Sequence, residues 1–270
     1  MSTTTSTIPV YDAGDISWVL TSTALVWLMI PGVGYFYSGM SRSKNALSLI
    51  MLSVLSVAIV SFQWFVWGFS LTFSKTSTNP YIGDLTNAFF RGVNVNPSMG
   101  NAKVPDIVFA IYQCMFAAIT PALAIGSAAE RGRIMPMIFF IFVWTTVVYD
   151  PIAYWTWNVS GWSAKLGGLD FAGGTPVGYQ LADGCAGMSY SFGVTYFILF
   201  VMDKIPGFSL RVDAETEIKG LDAGEIGELA YYHVDKIVMV DPKTHEPKLI
   251  EQIHEIPTNR VNDTTQLNNV

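Results

Sequence analysis

Charged residues are scarce in this 270-residue chain. Only 13% of its residues are Asp, Glu, Lys or Arg, 51% are hydrophobic, and the mean hydropathy is +0.38, whereas a soluble domain carries about a quarter charged residues. Residues 1–202 hold eight basic and eight acidic side chains, so the whole net charge of −6 falls in residues 203–270. This split predicts a membrane-embedded body followed by a polar, acidic tail.

Histidine is also missing from the apolar part of the chain. Its three histidines, His233, His245 and His254, all lie in the tail, so the apolar segments contain no imidazole that could relay protons near neutral pH. P-loop, CxxC, HExxH and GxSxG motifs do not occur, and no cluster of basic residues is present. We therefore expect no enzymatic activity, no cofactor, no metal site and no nucleic-acid partner.

Cysteine is rare too. Cys114 and Cys185 both lie in apolar stretches, which predicts two buried free thiols and excludes a disulfide framework. The first 15 residues lack the basic region that opens a cleaved signal peptide. We expect residues 1–15 to form an extracellular N-terminus and the first apolar segment to act as the targeting element.

Long uncharged runs are the strongest positive signal. A helix crosses a bilayer with about 20 apolar residues, and five runs approach or exceed that length: residues 16–41, 45–74, 107–129, 134–157 (interrupted by Asp150), and 184–202 with an apolar stretch before Asp183. They are apolar all round, unlike the one-sided helices of soluble proteins, and too long for transmembrane β-strands. We predict an all-α integral membrane protein with about five transmembrane helices in residues 16–202, and a partly disordered cytoplasmic tail, residues 203–270.

The basic loop residues predict how the spans are oriented. Cytoplasmic loops are enriched in Lys and Arg. Basic residues occur between spans one and two, between spans three and four, and after span five: Arg42, Lys44, Arg131, Arg133, Lys204 and Arg211. These three segments lie on one side if the spans alternate, and that side is predicted to be cytoplasmic. Basic residues in the opposite loops are spread over greater length among acids. The N-terminus is thus predicted outside and the C-terminus in the cytoplasm.

Three aromatic residues could form an outer cation site. Tyr112 and Phe116 are four apart, so they share one face of the third helix, about 10–15 Å below its outer end at Asp106. Trp157 ends the fourth span on the same side. Aromatic faces attract small cations, although a belt of interfacial aromatics explains Trp157 equally well. Both interpretations stay open from these residues alone.

Carboxylates in or near the spans also have two interpretations. Asp170 either lines a pathway or caps the N-terminus of the fifth helix. Asp150 and Asp183 are functional candidates because ionisable groups inside a bilayer are costly, but both could reach the interface. The glycosylation sequon at Asn158 adjoins a membrane end, and we expect it to be unused.

Six motifs together resemble the ammonium transporter family (Amt/Mep/Rh), in particular its fungal Mep branch. In chain order they are IPGVGYFYSGMSRSKNALS, FQWFVWGFSLTFS, IYQCMFAAITPALAIGSAAERGR, VYDPIAYWTW, DFAGGTPV and, in the tail, GLDAGEIGELAY. The resemblance implies a multi-pass permease of the plasma membrane that carries ammonium or methylammonium, sits in the lipid bilayer and forms homotrimers. It also implies that Trp157 and Phe116 recruit ammonium at an outer vestibule, that Tyr112 stands beside them, and that Asp170 supports the site structurally.

The chain departs from the family after DFAGGTPV. Family members have eleven spans, and a pore histidine follows this motif, whereas here residue 178 is Gly and the next segment resembles the family's last span. We therefore predict an internally deleted member with a seam at 177/178. It lacks about six spans and both pore histidines, so transport is expected to be lost. The alternatives are a non-transporting regulatory or dominant-negative subunit, and the product of a faulty gene model or splice.

Overall fold

The computed structural model describes residues 10–167, 177–230, 235–240 and 247–252. The chain divides into two compact units, Met1–Ala230 and Tyr231–Val270. The described part of the first unit contains nine α-helices: α1 (Ala13–Met40), α2 (Ala46–Gln63), α3 (Phe69–Phe73), α4 (Asp106–Ile125), α5 (Ile134–Trp144), α6 (Asp150–Trp157), α7 (Trp162–Lys165), α8 (Val177–Lys204) and α9 (Ala214–Lys219).

Five helical stretches are long and apolar enough to cross a membrane. They are Ala13–Met40, Ser43–Phe73, Asp106–Ala128, Ile134–Lys165 and Gly178–Lys204. The prediction of an all-α membrane region with about five spans is confirmed. The chain is a multi-pass membrane protein.

Two of these stretches contain π-helical turns. The segment Trp64–Gly68 joins α2 to α3, and Thr145–Tyr149 joins α5 to α6. A π-helical turn accommodates an extra residue and rotates the side chains that follow it around the helix, and such turns are frequent at functional sites. Here they bring Gln63 and Asp150, which flank the two turns, into contact.

The core of the helical bundle is built around α2. It packs against α1, α4 and α5, and Trp64, at its end, is fully buried. The indole of Trp64 makes edge contacts with Phe69, Phe73 and Tyr149 and donates a hydrogen bond to the Ala110 carbonyl at 3.0 Å. These contacts fix the second span against the third and fourth.

The first and fifth spans lie at the edge of the bundle. In the apolar part of each span, only 6% of the residues are buried in the first span and 11% in the fifth, against 39–56% in the other three. Cys185, on α8, is exposed, whereas Cys114, on α4, is buried. The prediction that both thiols are buried was therefore wrong for Cys185, because α8 has few neighbours.

The loops predicted to share one side do lie together at one end of the bundle. Arg42, after α1, pairs with Glu130, after α4, at 3.2 Å. Gly132 forms a β-bridge with Arg211, which follows α8. At the opposite end, the Asp12 backbone N–H donates to the Lys103 carbonyl. The spans therefore alternate in direction, as the orientation prediction requires.

The second unit contains a β-hairpin. Strands β1 (Asp235–Val240) and β2 (Pro247–Gln252) pair antiparallel, with Asp235 opposite Gln252 and Val240 opposite Pro247. Both lie in the tail, for which the sequence predicted partial disorder.

Candidate functional site

Tyr112 and Phe116 form a contacting aromatic pair on α4. Their ring centroids are 5.0 Å apart and the rings meet edge to face, as the four-residue spacing predicts. Both side chains are half-buried, so parts of both rings stay accessible. The pair presents aromatic surface of the kind that attracts a small cation.

Trp157 joins this region through two other rings. Its indole stacks on Phe73 with a centroid distance of 6.5 Å and an interplanar angle of 6°, and Phe73 meets Phe109 of α4 edge to face at 5.0 Å. Phe109 lies three residues before Tyr112 on the same helix. In the described chain Trp157 therefore contacts Phe73 and does not stack directly on Tyr112 or Phe116.

The aromatic positions differ in what they can contribute. Phe73 is 2% exposed and packs against one face of the Trp157 indole. Trp157 is 40% exposed, which leaves ring surface free for a cation at the C-terminal end of α6. Sequence reasoning missed Phe73 because a Phe in an apolar run carries no sign of what it will stack on.

Of the candidate carboxylates, Asp170 lies outside the described residues. Asp183 is half-buried in α8. Asp150 is fully buried, and Gln63 Nε2 donates to its Oδ2 at 2.6 Å. Asp150 is therefore enclosed by protein within the fourth candidate span, Ile134–Lys165. Among the described residues, no group of three or more His, Cys, Asp or Glu side chains could hold a metal ion.

Asn158 anchors the end of α3 and the start of the following loop to α6. It is fully buried, and its Nδ2 donates to the carbonyls of Thr72 at 3.1 Å and Ser74 at 2.9 Å. An amide used in this way is not accessible to a glycosyltransferase in the folded protein.

The loop between α3 and α4 is held by Asp84. Partial desolvation favours the neutral form of this carboxyl, but hydrogen bonds from Ser74, Thr76 and Thr86 outweigh it and lower its pKa to about 2. The Ser74 and Thr76 hydroxyls lie 2.6 Å from the carboxylate oxygens. The loop is further tied to α4 by the ion pair of Lys75 with Asp106 at 2.7 Å.

At the opposite end, the segment after α8 is fastened to two loops. Asp222 is fully buried and accepts hydrogen bonds from the backbone N–H groups of Leu47 and Ser48 at the start of α2. Asn45 Oδ1 accepts from the Leu221 N–H at 2.8 Å. Lys44 donates to backbone carbonyls of α9. This segment, residues 209–228, is called the C-terminal strap below.

Gly220 allows the strap to approach α2 closely. Its φ is +105°, and an added Cβ would lie 2.7 Å from the Lys44 Cβ. Glutamates of the strap pair with the basic loop before α5: Glu217 with Arg131 at 3.2 Å and Glu225 with Arg133 at 3.5 Å. The loop arginines that predicted orientation therefore also bind the strap.

The sequence profile of the Ammonium Transporter Family matches this chain in two stretches, residues 17–178 and 176–231. Together they cover most of the chain, and they meet at residues 176–178. The seam predicted at 177/178 lies at that junction.

Curated relatives match over two thirds of the chain. The chain is 59% identical over 181 residues to "Ammonium transporter 1" of Schizosaccharomyces pombe, which covers 67% of this chain and 36% of that protein. It is 48% identical over 191 residues to "Ammonium transporter MEP2" of Saccharomyces cerevisiae, with coverage of 70% and 38%. The chain thus matches little more than a third of the length of these relatives, as an internal deletion predicts.

Solved structures of Mep2 proteins also match this chain over little more than a third of their own length. The chain aligns with the crystal structure of Candida albicans Mep2 with a TM-score of 0.56 and 49% identity, over 61% of this chain and 36% of that one. Saccharomyces cerevisiae Mep2 aligns with a TM-score of 0.56 and 51% identity, over 61% and 37%.

Proposed function

Because this chain belongs to the Ammonium Transporter Family, in its fungal Mep branch, we propose that it derives from an ammonium permease of the plasma membrane and has itself lost transport. It catalyses no reaction of its own. Its N-terminus lies outside the cell and its C-terminus in the cytoplasm. Residues 16–202 form its transmembrane region and residues 203–270 its cytoplasmic tail.

The observation that carries this proposal is that the membrane region of the sequence contains no histidine. Residues 1–232 contain no histidine, and Gly178 stands where the family motif continues with a pore histidine. A permease that strips a proton from ammonium needs a polar path through the bundle. This chain retains only the first part of that architecture and its last span, joined at the seam.

The outer recruitment site is retained. Trp157 offers exposed ring surface, and Tyr112 and Phe116 form an aromatic pair on the neighbouring helix. A cation over such rings gains about 0.5–2 kcal/mol per contact. We propose that these three residues still attract ammonium or methylammonium weakly, and that Asp170 supports the site.

Uptake of labelled methylammonium tests the loss of transport. The chain is expressed in cells without their own ammonium transporters, its presence at the cell surface is verified with a tag, and a full-length relative serves as the positive control. We expect uptake at background. Uptake above background by surface-expressed protein would refute the proposal.

A second candidate function is that of a non-transporting regulatory or dominant-negative subunit. It is favoured by the intact strap, whose buried Asp222 and Glu–Arg pairs survive although the pore does not. Such a subunit would enter the homotrimers expected for the family. Co-expression with a full-length relative should then give co-purification and reduced uptake, whereas separate migration of the two proteins would remove this candidate.

The remaining alternative is that the seam arises from a faulty gene model or a splice. Sequencing the transcript across residues 177 and 178 decides it. A transcript with an additional coding segment at that point would assign the chain to this alternative.

A further inference from the structure

The loop between α3 and α4 does not leave the bundle where the second span ends. It turns back and runs along the side of that span. The Gly83 N–H donates to the Leu71 carbonyl at 2.8 Å, and the Asn87 N–H donates to Ser70 Oγ at 2.9 Å. A Cβ added at Gly83 would lie 2.5 Å from the carbonyl oxygens of Ser70 and Leu71, so the two backbones are in close contact. Residues 83–90, which run beside the helix toward α2, are called the re-entrant segment below.

The deepest contacts of the re-entrant segment are aromatic. Phe90 meets Phe69 edge to face, with 5.6 Å between the ring centroids. Phe65, one turn further from the end of the span, meets the rings of Phe89 at 5.9 Å and Phe90 at 5.4 Å. Phe65 lies eight residues before Phe73, where the span ends, or about 12 Å along the helix axis. The tip of the segment therefore reaches about two helical turns below the end of the span.

The length of the second span indicates where this tip lies in a bilayer. The stretch Ser43–Phe73 has 31 residues and is about 46 Å long, whereas the hydrocarbon core of a bilayer is about 30 Å thick. With the excess shared by both ends, the hydrocarbon core begins about 8 Å below Phe73. Phe65 and the two loop rings packed on it then lie at the edge of the hydrocarbon core.

The backbone of the segment holds these rings in place at a cost. Phe89 has φ 55° and ψ 33°, and Phe90 has φ 54°. The left-handed conformation costs an L-residue about 1–2 kcal/mol, and such strain persists where surrounding contacts over-determine it. Here those contacts are the rings of Phe65 and Phe69. The strained turn places Phe90 against the helix, where it is half-buried, and leaves Phe89 exposed.

The exposed side chains of the segment continue the apolar surface of the second span. Leu85 and Phe89 are each more than half exposed, and so is Phe62 of α2. Phe65, which is nearly half exposed, joins the two sets through its contact with Phe89. Residues 85–90 contain no charged side chain. Because the uncharged surface of a membrane span faces lipid, the apolar surface that continues it faces the same environment.

Backbone hydrogen bonds limit how deep the segment can lie, because hydrocarbon does not tolerate unpaired backbone groups. Besides its two bonds to the span, the segment has an internal bond from the Thr86 N–H to Asp84 Oδ1 at 3.1 Å. Another runs from the Ala88 N–H to the Leu85 carbonyl, also at 3.1 Å. The boundary between headgroups and acyl chains suits this arrangement, since water reaches the remaining groups there and apolar side chains insert by about 5–10 Å.

We propose that the re-entrant segment is a membrane anchor that inserts Leu85 and Phe89 among the acyl chains beside the second span. Its partner is the lipid surface, and Arg91, which is exposed directly after the segment, extends toward the headgroups. The anchor fixes the loop between α3 and α4 at the bilayer boundary. It does not depend on whether the chain transports ammonium.

Site-directed spin labelling in lipid nanodiscs measures this insertion. The full chain carries Cys185→Ser, which removes the exposed thiol, while Cys114 is buried; one new cysteine is then labelled. Accessibility of the label to oxygen, which concentrates among acyl chains, is compared with accessibility to a water-soluble nickel chelate. We expect labels at Phe89→Cys and Leu85→Cys to give an oxygen-to-nickel ratio severalfold above that of the control Asn94→Cys.

Asn94 is the matched control because it is exposed in the same loop but level with the start of α4, where its carbonyl accepts from the Ile107 N–H. Phe62→Cys gives the reference value for the lipid-facing side of the span. Leu85→Cys decides the test alone if Phe89→Cys does not fold, since Leu85 lies outside the strained turn.

Two outcomes would overturn the proposal. One is an oxygen-to-nickel ratio at both segment positions equal to that of Asn94→Cys, which would place the segment in water. The other is low accessibility to both reagents together with dipolar broadening between labels, which would assign this surface to contact with a second copy of the chain.

Discussion

Replacing Asp222 should release the C-terminal strap. Its carboxylate accepts hydrogen bonds from Leu47 N at 2.9 Å, Ser48 N at 2.8 Å and Ser48 Oγ at 2.6 Å. The residue at the N-cap of α2, Asn45, makes no side-chain cap of its own. Asp222 therefore satisfies N–H groups that the first turn of a helix leaves free.

The magnitude follows from these contacts. Asp222→Ala leaves two backbone donors at a buried helix end without a partner, and each such loss costs about 1–3 kcal/mol. A carboxylate at a helix N-terminus adds about 0.3–1 kcal/mol. Because water can reach this end of the bundle once the strap lifts, we expect a net loss of about 2–4 kcal/mol, or about 30- to 700-fold in the docking equilibrium.

Hydrogen exchange of the strap in lipid nanodiscs measures this change. The Leu221 amide, which donates to Asn45 Oδ1, should exchange faster in Asp222→Ala by that factor, while amides within α4 should not change. Asp203→Ala is the matched control, because Asp203 is an exposed carboxylate at the end of α8. Equal strap exchange in wild type and Asp222→Ala would refute the capping argument.

Three other perturbations give measurable outcomes. Because the pKa of Asp84 is lowered, its contribution to stability is complete above about pH 4 and is lost as pH falls toward 2. Asp84→Asn should therefore reduce the fall in Tm between pH 5 and pH 2. A profile of Tm against pH that is unchanged from the wild type would contradict this. Asn158→Ala should lower the free energy of unfolding by about 1–3 kcal/mol through two unpaired carbonyls, and wild-type protein from a eukaryotic host should show no mass change with endoglycosidase. Trp64→Ala should cost about 3–5 kcal/mol of stability by thermal unfolding, and a loss below about 1 kcal/mol would show that the bundle is not centred on this indole.

The outer aromatic residues show how far sequence spacing can be taken. Helical periodicity placed Tyr112 and Phe116 on one face of α4, and their rings are in contact. The same reasoning suggested that Trp157 converges on them, yet its stacking partner is Phe73. The difference arises because spacing along one helix fixes which residues share a face, whereas contacts between helices depend on how each helix is rotated about its own axis.

Gln63 stands out in the sequence, but the sequence alone does not predict its partner. It is a lone amide in an otherwise apolar run, and inside a bilayer such a group needs a partner. The sequence does not say which one. Asp150 lies 87 positions away, and the two meet because the second span packs against the fourth.

The sequence by itself determined the class of this protein, the number of its spans and the alternation of its loops. These follow from hydropathy, loop charge and local motifs, which depend on neighbouring residues only. The tertiary structure alone decided the burial of Asp150 against Gln63, the exposure of Cys185, and the capping of α2 by Asp222 from 174 positions away. One extra residue in a π-helical turn rotates every later side chain by about 100°, so the polar partners across the bundle are fixed by helix rotation and packing rather than by the order of residues.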